Sequence, residues 1–161
     1  MKVRIEASIV IDRPVEEVFD FVAVRHRENH SRWDVAVSHL EPETTGPMGL
    51  GSRFTIVRRN MQRNEARTFT ITRWEPPRLM EMRTESSDFA LALRGECEAV
   101  GAGATRHRLI GEATVTGARS LLAPVMKVKF TRDIQENLRR IKALVEAEAS
   151  PRQMTAPIGS A

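Results

Sequence analysis

IEASIVIDRPVEEVFDFVA, residues 5–23, holds two periodicities back to back. Val3, Ile5, Ala7, Ile9 and Ile11 alternate with the polar Arg4, Glu6 and Ser8, the period-2 pattern of a strand with one face in a core. Asp12-Arg13-Pro14 then marks a helix start. Proline suits the first turn, where a backbone N–H would lack a partner anyway, and Asp12 is placed to cap the free amides. Val15, Val18, Phe19 and Val22 share one face of that helix, with Glu16, Glu17 and Asp20 opposite. At the other end of the chain the period turns helical again from Ala118. Leu122, Met126, Phe130, Ile134, Leu138, Ile141 and Val145 form a continuous stripe, with Glu136 and Arg140 as an i,i+4 ion pair on the wet side. Pro124 is expected to break or kink this helix near its start. Strand patterns fill the space between. A strand and short helix, a run of strands and a long apolar-striped helix predict an α+β domain whose sheet wraps the last helix and leaves a cavity between them.

The middle of the chain refines this picture. His26 to Arg32 is polar and reads as a second short helix or turn, solvated on the surface. Trp33 follows, and Val35 to Leu40 begins the next strand. Glu41 to Gly51, with two prolines and three glycines, reads as a loop. A hairpin turning at Gln62-Arg63 sets Ile56 opposite Phe69 and Phe54 opposite Ile71. A turn at Glu75-Pro76-Pro77-Arg78 sets Arg73 opposite Met80 and Ile71 opposite Met82. Ser86-Ser87 sets Met82 against Leu91 and Met80 against Leu93. A turn about Gly101-Ala102-Gly103 sets Cys97 against His107, with Glu96 facing Arg108 and Glu98 facing Arg106 as favourable charge pairs. One antiparallel meander with a single apolar face meets all these constraints.

At 161 residues, 41% apolar and 29% charged, the chain fits one globular domain. We read residues 1–148 as that domain and 149–161 as a flexible tail, since the last stretch carries prolines and small residues but no stripe. Neither a membrane-length apolar run nor a signal-peptide pattern is visible, so a cytoplasmic location without stable membrane insertion is expected. The single Cys97 excludes an internal disulfide and fits a reducing compartment. The net charge of +4 comes from arginines scattered among acids, and tyrosine is absent. A base-stacking nucleic-acid surface is therefore not expected.

Several of these stretches resemble the START-like (SRPBCC) superfamily, its polyketide cyclase/dehydrase-like branch in particular. They are the opening IEASIVIDRPVEEVFDFVA, Trp33-Asp34 before a strand, GLGSRFTI (49–56), ITRWEPPRLMEMR (71–83) and the closing helix. The resemblance implies a helix-grip fold: a seven-stranded antiparallel sheet around the C-terminal helix, two short helices after strand 1 and a hydrophobic ligand cavity. It does not choose among binders, carriers, cyclases, hydrolases and protein-interaction modules, because its motifs are structural.

The candidate ligand-binding set is Phe54, Ile56, Phe69, Ile71, Met80, Met82, Phe89, Leu91 and Leu93 from the strands, faced by Met126, Phe130, Ile134 and Leu138. Methionines would let such a wall adapt to its ligand, or would simply fill a packed core. Arg58, Arg73 and His107 share the inward parity. An inward arginine offers a fork for a carboxylate, hence an apolar ligand with an acidic group; the alternative is an arginine that reaches water or pairs with a buried carboxylate. His107 is the first side chain to suspect as a general base, against the plainer role of a satisfied core histidine. His26 and His30 have metal-ligand spacing but no third ligand, and neither a metal nor another cofactor is expected. Cys97 reads as a small buried hydrophobe. Met48 and Leu50 read either as a gate at the cavity mouth or as a turn on the core. Binding of a hydrophobic small molecule, with transport as its extension, is the first reading. A polyketide cyclase/dehydrase-like enzyme and a protein-interaction module with a collapsed cavity are the alternatives, and a homodimer is left open.

Overall fold

A computed structural model describes residues 1–60 and 63–148 of the chain. Strand β1 (Lys2–Ile11) runs into helix α1 (Val15–Phe19), which widens into a π turn (Asp20–Val24) before helix α2 (His26–Trp33). Six strands follow: β2 (Val37–Pro42), β3 (Arg53–Asn60), β4 (Arg63–Glu75), β5 (Leu79–Ser86), β6 (Phe89–Ala99) and β7 (Thr105–Val115). A 3-10 turn (Gly117–Leu122) leads into the long helix α3 (Ala123–Ala147). The strands form one antiparallel sheet in the order β1-β7-β6-β5-β4-β3-β2, the helix-grip arrangement. Among the described residues no helix is long and apolar enough to cross a membrane.

Local signals explain the helix ends. Pro14 occupies the N-cap of α1 with no side-chain cap, so Asp12 does not serve as one; its own N–H donates to Glu146 instead, 2.8 Å away. Pro124 falls in the first turn of α3, where the missing donor costs nothing. It therefore marks the step from the 3-10 turn to the α-helix.

The β6–β7 register is the one read from the sequence, with Cys97 opposite His107 and the Glu96–Arg108 and Glu98–Arg106 pairs in place. Two other registers differ by two residues. Phe54 pairs with Phe69 and Ile56 with Arg67, because pairing runs on to Asn60 and Arg63 and leaves two residues for the connection. The expected turn residue Gln62 lies outside the described residues. Met82 pairs with Leu93 and Met80 with Gly95, the turn falling at Ser87-Asp88. A slip of two preserves the inward face, so alternation cannot detect it.

The third difference reverses a face. Ile71 pairs with Met82 as expected, but a bulge at Thr72 places Arg73 opposite Glu81 and Trp74 opposite Met80. One extra residue flips the parity beyond it. Trp74 turns inward, edge-on to Phe19 at 5.3 Å, while Arg73 faces water and pairs with Glu75.

The core lies at the C-terminal end of α3, where Leu138, Ile141 and Val145 are buried. Ile141 and Val145 pack with Ile11, Val18, Phe21 and Trp33. Each fully buried large apolar side chain contributes about 1.5–3 kcal/mol. The first half of α3 stands off from the sheet: Val125 and Val128 are exposed, and Met126, Phe130 and Ile134 only half-buried. The sheet has no facing partner there, and space remains.

Candidate functional site

That space is a cavity of about 540 Å3. Ile56, Phe69, Met80, Met82, Phe89, Leu91 and Leu93 line it from the sheet, and Met126, Phe130 and Ile134 from α3. These ten belong to the set read from the sequence. Phe54, Ile71 and Leu138 do not line the cavity but are packed solidly behind it, at most 2% exposed. Met48 is buried on the core and Leu50 exposed, and neither lines the cavity, so this loop forms no gate.

Two inward glycines help to hollow out the wall. A Cβ at Gly111 would lie 3.1 Å from Ile5 Cγ1 and 3.4 Å from Leu93 Cδ2, and one at Gly95 would lie 3.4 Å from His107 Cε1. Gly95 thus places no side chain against Cε1 of the buried His107 ring.

Buried polar side chains line the cavity in two groups. His107, only 1% exposed, sits deep on β7 and donates from Nδ1 to the Glu96 carbonyl at 3.1 Å. Its Nε2 has no partner. Burial pushes its pKa down to about 4 despite the help of that carbonyl, so the ring is neutral at pH 7. Burial likewise pushes the neighbouring Cys97 thiol up to about 12, which leaves it protonated and inert.

The second group is built by α2. His26, His30 and Trp33, spaced i, i+4 and i+7, are buried on one helix face, and Asp34 follows at the helix end. All four line the cavity. The expectation of a solvated 26–32 segment is therefore corrected: imidazole and indole rings form its buried face. The His26/His30 spacing is visible in the sequence, but a hydropathy pattern scores histidine as polar and so misses that this face is buried.

Arg58 lines the cavity beside Asp34 but is committed. Its guanidinium reaches Asp34 Oδ2 at 2.8 Å and Oδ1 at 3.4 Å. Burial pushes Asp34 up, yet His30 and Arg58 outweigh it and hold the carboxyl down at about 2. Arg67, inward opposite Ile56, pairs with Glu65 and lies over the Phe89 ring at 4.4 Å. Among the described residues no group of three ligating side chains is arranged to hold a metal.

Comparison with known proteins adds a family. A family model described as polyketide cyclase / dehydrase and lipid transport matches residues 2–146. No curated protein matches the chain. Similar solved structures include the ZhuI aromatase/cyclase from Streptomyces sp. R1128, with TM-score 0.76, 10% identity, and coverage of 91% of this chain and 94% of that one. A protein from Thermus thermophilus gives TM-score 0.75 at 18% identity, covering 92% and 100% respectively. A START superfamily protein from Mycobacterium smegmatis gives 0.73 at 10%, covering 89% and 97%. At such identities the likeness speaks for the fold alone.

Proposed function

The chain belongs to the polyketide cyclase / dehydrase and lipid transport family, and from that premise we propose that it binds a neutral, mainly apolar small molecule beneath α3. The observation that carries this reading is the cavity itself. At about 540 Å3, walled by aliphatic, methionine and aromatic side chains, it has the size and lining of a small-molecule site. The arginines that suggested an acidic head group do not favour one, since Arg73 faces water and Arg58 already holds Asp34. An open cavity also speaks against an interaction module with a collapsed interior.

Fluorescence titration with N-phenyl-1-naphthylamine, a neutral apolar probe, tests the reading. Saturable enhancement is expected for the wild type. Leu91→Trp, which fills the cavity from β6, should weaken binding by tenfold or more, about 1.4 kcal/mol, with an unchanged far-UV spectrum. A wild type that gives no enhancement would sink the proposal.

A second reading, a cyclase- or dehydrase-like enzyme, is supported by His107. Its bare Nε2 could take a proton from carbon next to a carbonyl. The burial that bares this nitrogen also lowers its pKa to about 4, far from the operating pH that favours a general base. Binding is therefore the better-supported reading. Should turnover of a carbonyl substrate be found, His107→Ala is expected to abolish it and leave probe affinity within a few-fold. Unchanged turnover would remove His107 from the mechanism.

A further inference from the structure

We infer that His26 and His30 form a hydrogen-bond acceptor site for a hydroxyl group, phenol or alcohol, on the molecule that occupies the cavity. This rests on the binding reading above and names the polar group of the ligand. His26 Nδ1 lies 2.9 Å from the Val22 carbonyl, which can only accept, so Nδ1 carries the proton and Nε2 is a bare lone pair. His30 presents Nε2 to the Asp34 carboxylate at 3.8 Å, which favours the proton there and leaves Nδ1 bare. Both bare nitrogens are buried without a partner.

The two rings lie 4.5 Å apart, held by Trp33 at 5.6 and 5.3 Å and by Phe54 at 5.5 Å from His26. His26 is 3% and His30 6% exposed, and both form part of the cavity wall. Buried acceptors without a donor are costly, and native interiors rarely leave two side by side. A donor from the ligand would satisfy them.

The chemistry disfavours acidic groups and groups that cannot donate. Two lone pairs beside the Asp34 carboxylate repel a carboxylate or phosphate; Arg58 is occupied by that carboxylate, and Arg59, which also lines the cavity, is exposed to water. A methyl ether or an ester oxygen has nothing to donate. A hydroxyl on an apolar frame fits both the rings and the wall.

Three probes of one frame test this: 2-naphthol, 2-methoxynaphthalene and 2-naphthoate, titrated by calorimetry at pH 7.5. The wild type is expected to bind 2-naphthol about tenfold more tightly than the ether, and the carboxylate more weakly than either. His26→Leu with His30→Leu should bring naphthol and ether to equal affinity, whereas His107→Leu should keep the preference. Equal affinities in the wild type would overturn this inference and leave the cavity reading standing. A preference lost with His107→Leu and kept in the double variant would also overturn it, by moving the acceptor to His107. Absence of binding for all three probes would overturn both. The wild-type comparison needs no variant to fold.

Discussion

Acidification from pH 7.5 to 5.0 is expected to remove about 4 kcal/mol of folding stability, a large share of what a domain of this size possesses. The cause is the pair of buried neutral histidines. Burial, and for His26 the neighbouring His30, lowers the pKa of His26 to about 3, and burial lowers that of His107 to about 4. Unfolded, both take up a proton near pH 6.5. Between those values the unfolded chain binds more protons than the folded one, so stability rises with pH. It is fully present above about 6.5 and falls by about 1.4 kcal/mol per pH unit for each histidine below that. At pH 5.0 each has lost about 2 kcal/mol. Asp34 and Glu81, whose carboxyls are held low, begin to act only as the pH falls into the usual carboxylate range, where the unfolded chain takes up their protons first. The window from pH 6.5 to about 4.5 therefore belongs to the imidazoles. Urea unfolding across that window measures the slope directly. His107→Leu should halve it; a wild-type slope near zero would show that these rings are protonated inside the fold.

Replacing Glu81 with alanine is expected to cost about 3 kcal/mol, although the residue lies on the outer face of the sheet. Glu81 is 2% exposed. The bulge in β4 sets it opposite Arg73, and β6 sets it opposite Arg94. It accepts from Thr72 Oγ1 at 2.9 Å, Arg83 Nε at 2.9 Å and Arg94 at 3.0 and 3.1 Å. Burial pushes its pKa up, and these donors more than reverse the push. The carboxylate thereby ties three consecutive strands behind the cavity wall. Its removal strands donors rather than a sealed charge, for the side chains of Arg83 and Arg94 are 60% and 28% exposed and can rehydrate. The loss thus belongs at the low end for a broken buried ion pair. Arg83→Ala, at the exposed end, should cost under about 1 kcal/mol. The urea midpoint of each variant at unchanged m-value decides; a Glu81→Ala loss no larger than that of Arg83→Ala would contradict the network.

Most of the fold was legible from residues because it rests on periodicity. The switch from period 2 to helical period around Pro14, the meander and the stripe of α3 each depend on local spacing. The β6–β7 register was legible too, since Glu96–Arg108 and Glu98–Arg106 add a charge constraint to the apolar one. The β3–β4 and β5–β6 registers were not, because a slip of two leaves every inward residue inward. The bulge at Thr72 was invisible for a related reason. Alternation assumes one residue per step, and the extra residue that turns Arg73 out and Trp74 in is fixed by contacts with Glu81 and Phe19.

For the site the division is similar. The sequence by itself determined which strand and helix residues face inward, Arg73 and Trp74 beyond the bulge excepted, and ten of them line the cavity. It also singled out His107. Only the tertiary structure decided that Phe54 and Ile71 lie behind the wall, that Arg58 is neutralised by Asp34 and that His26 and His30 are buried beside it. Those outcomes depend on how far α3 stands from the sheet and on which side chains from distant segments meet. Spacing along a chain records the face a residue presents, and it holds no record of the distance to whatever lies opposite.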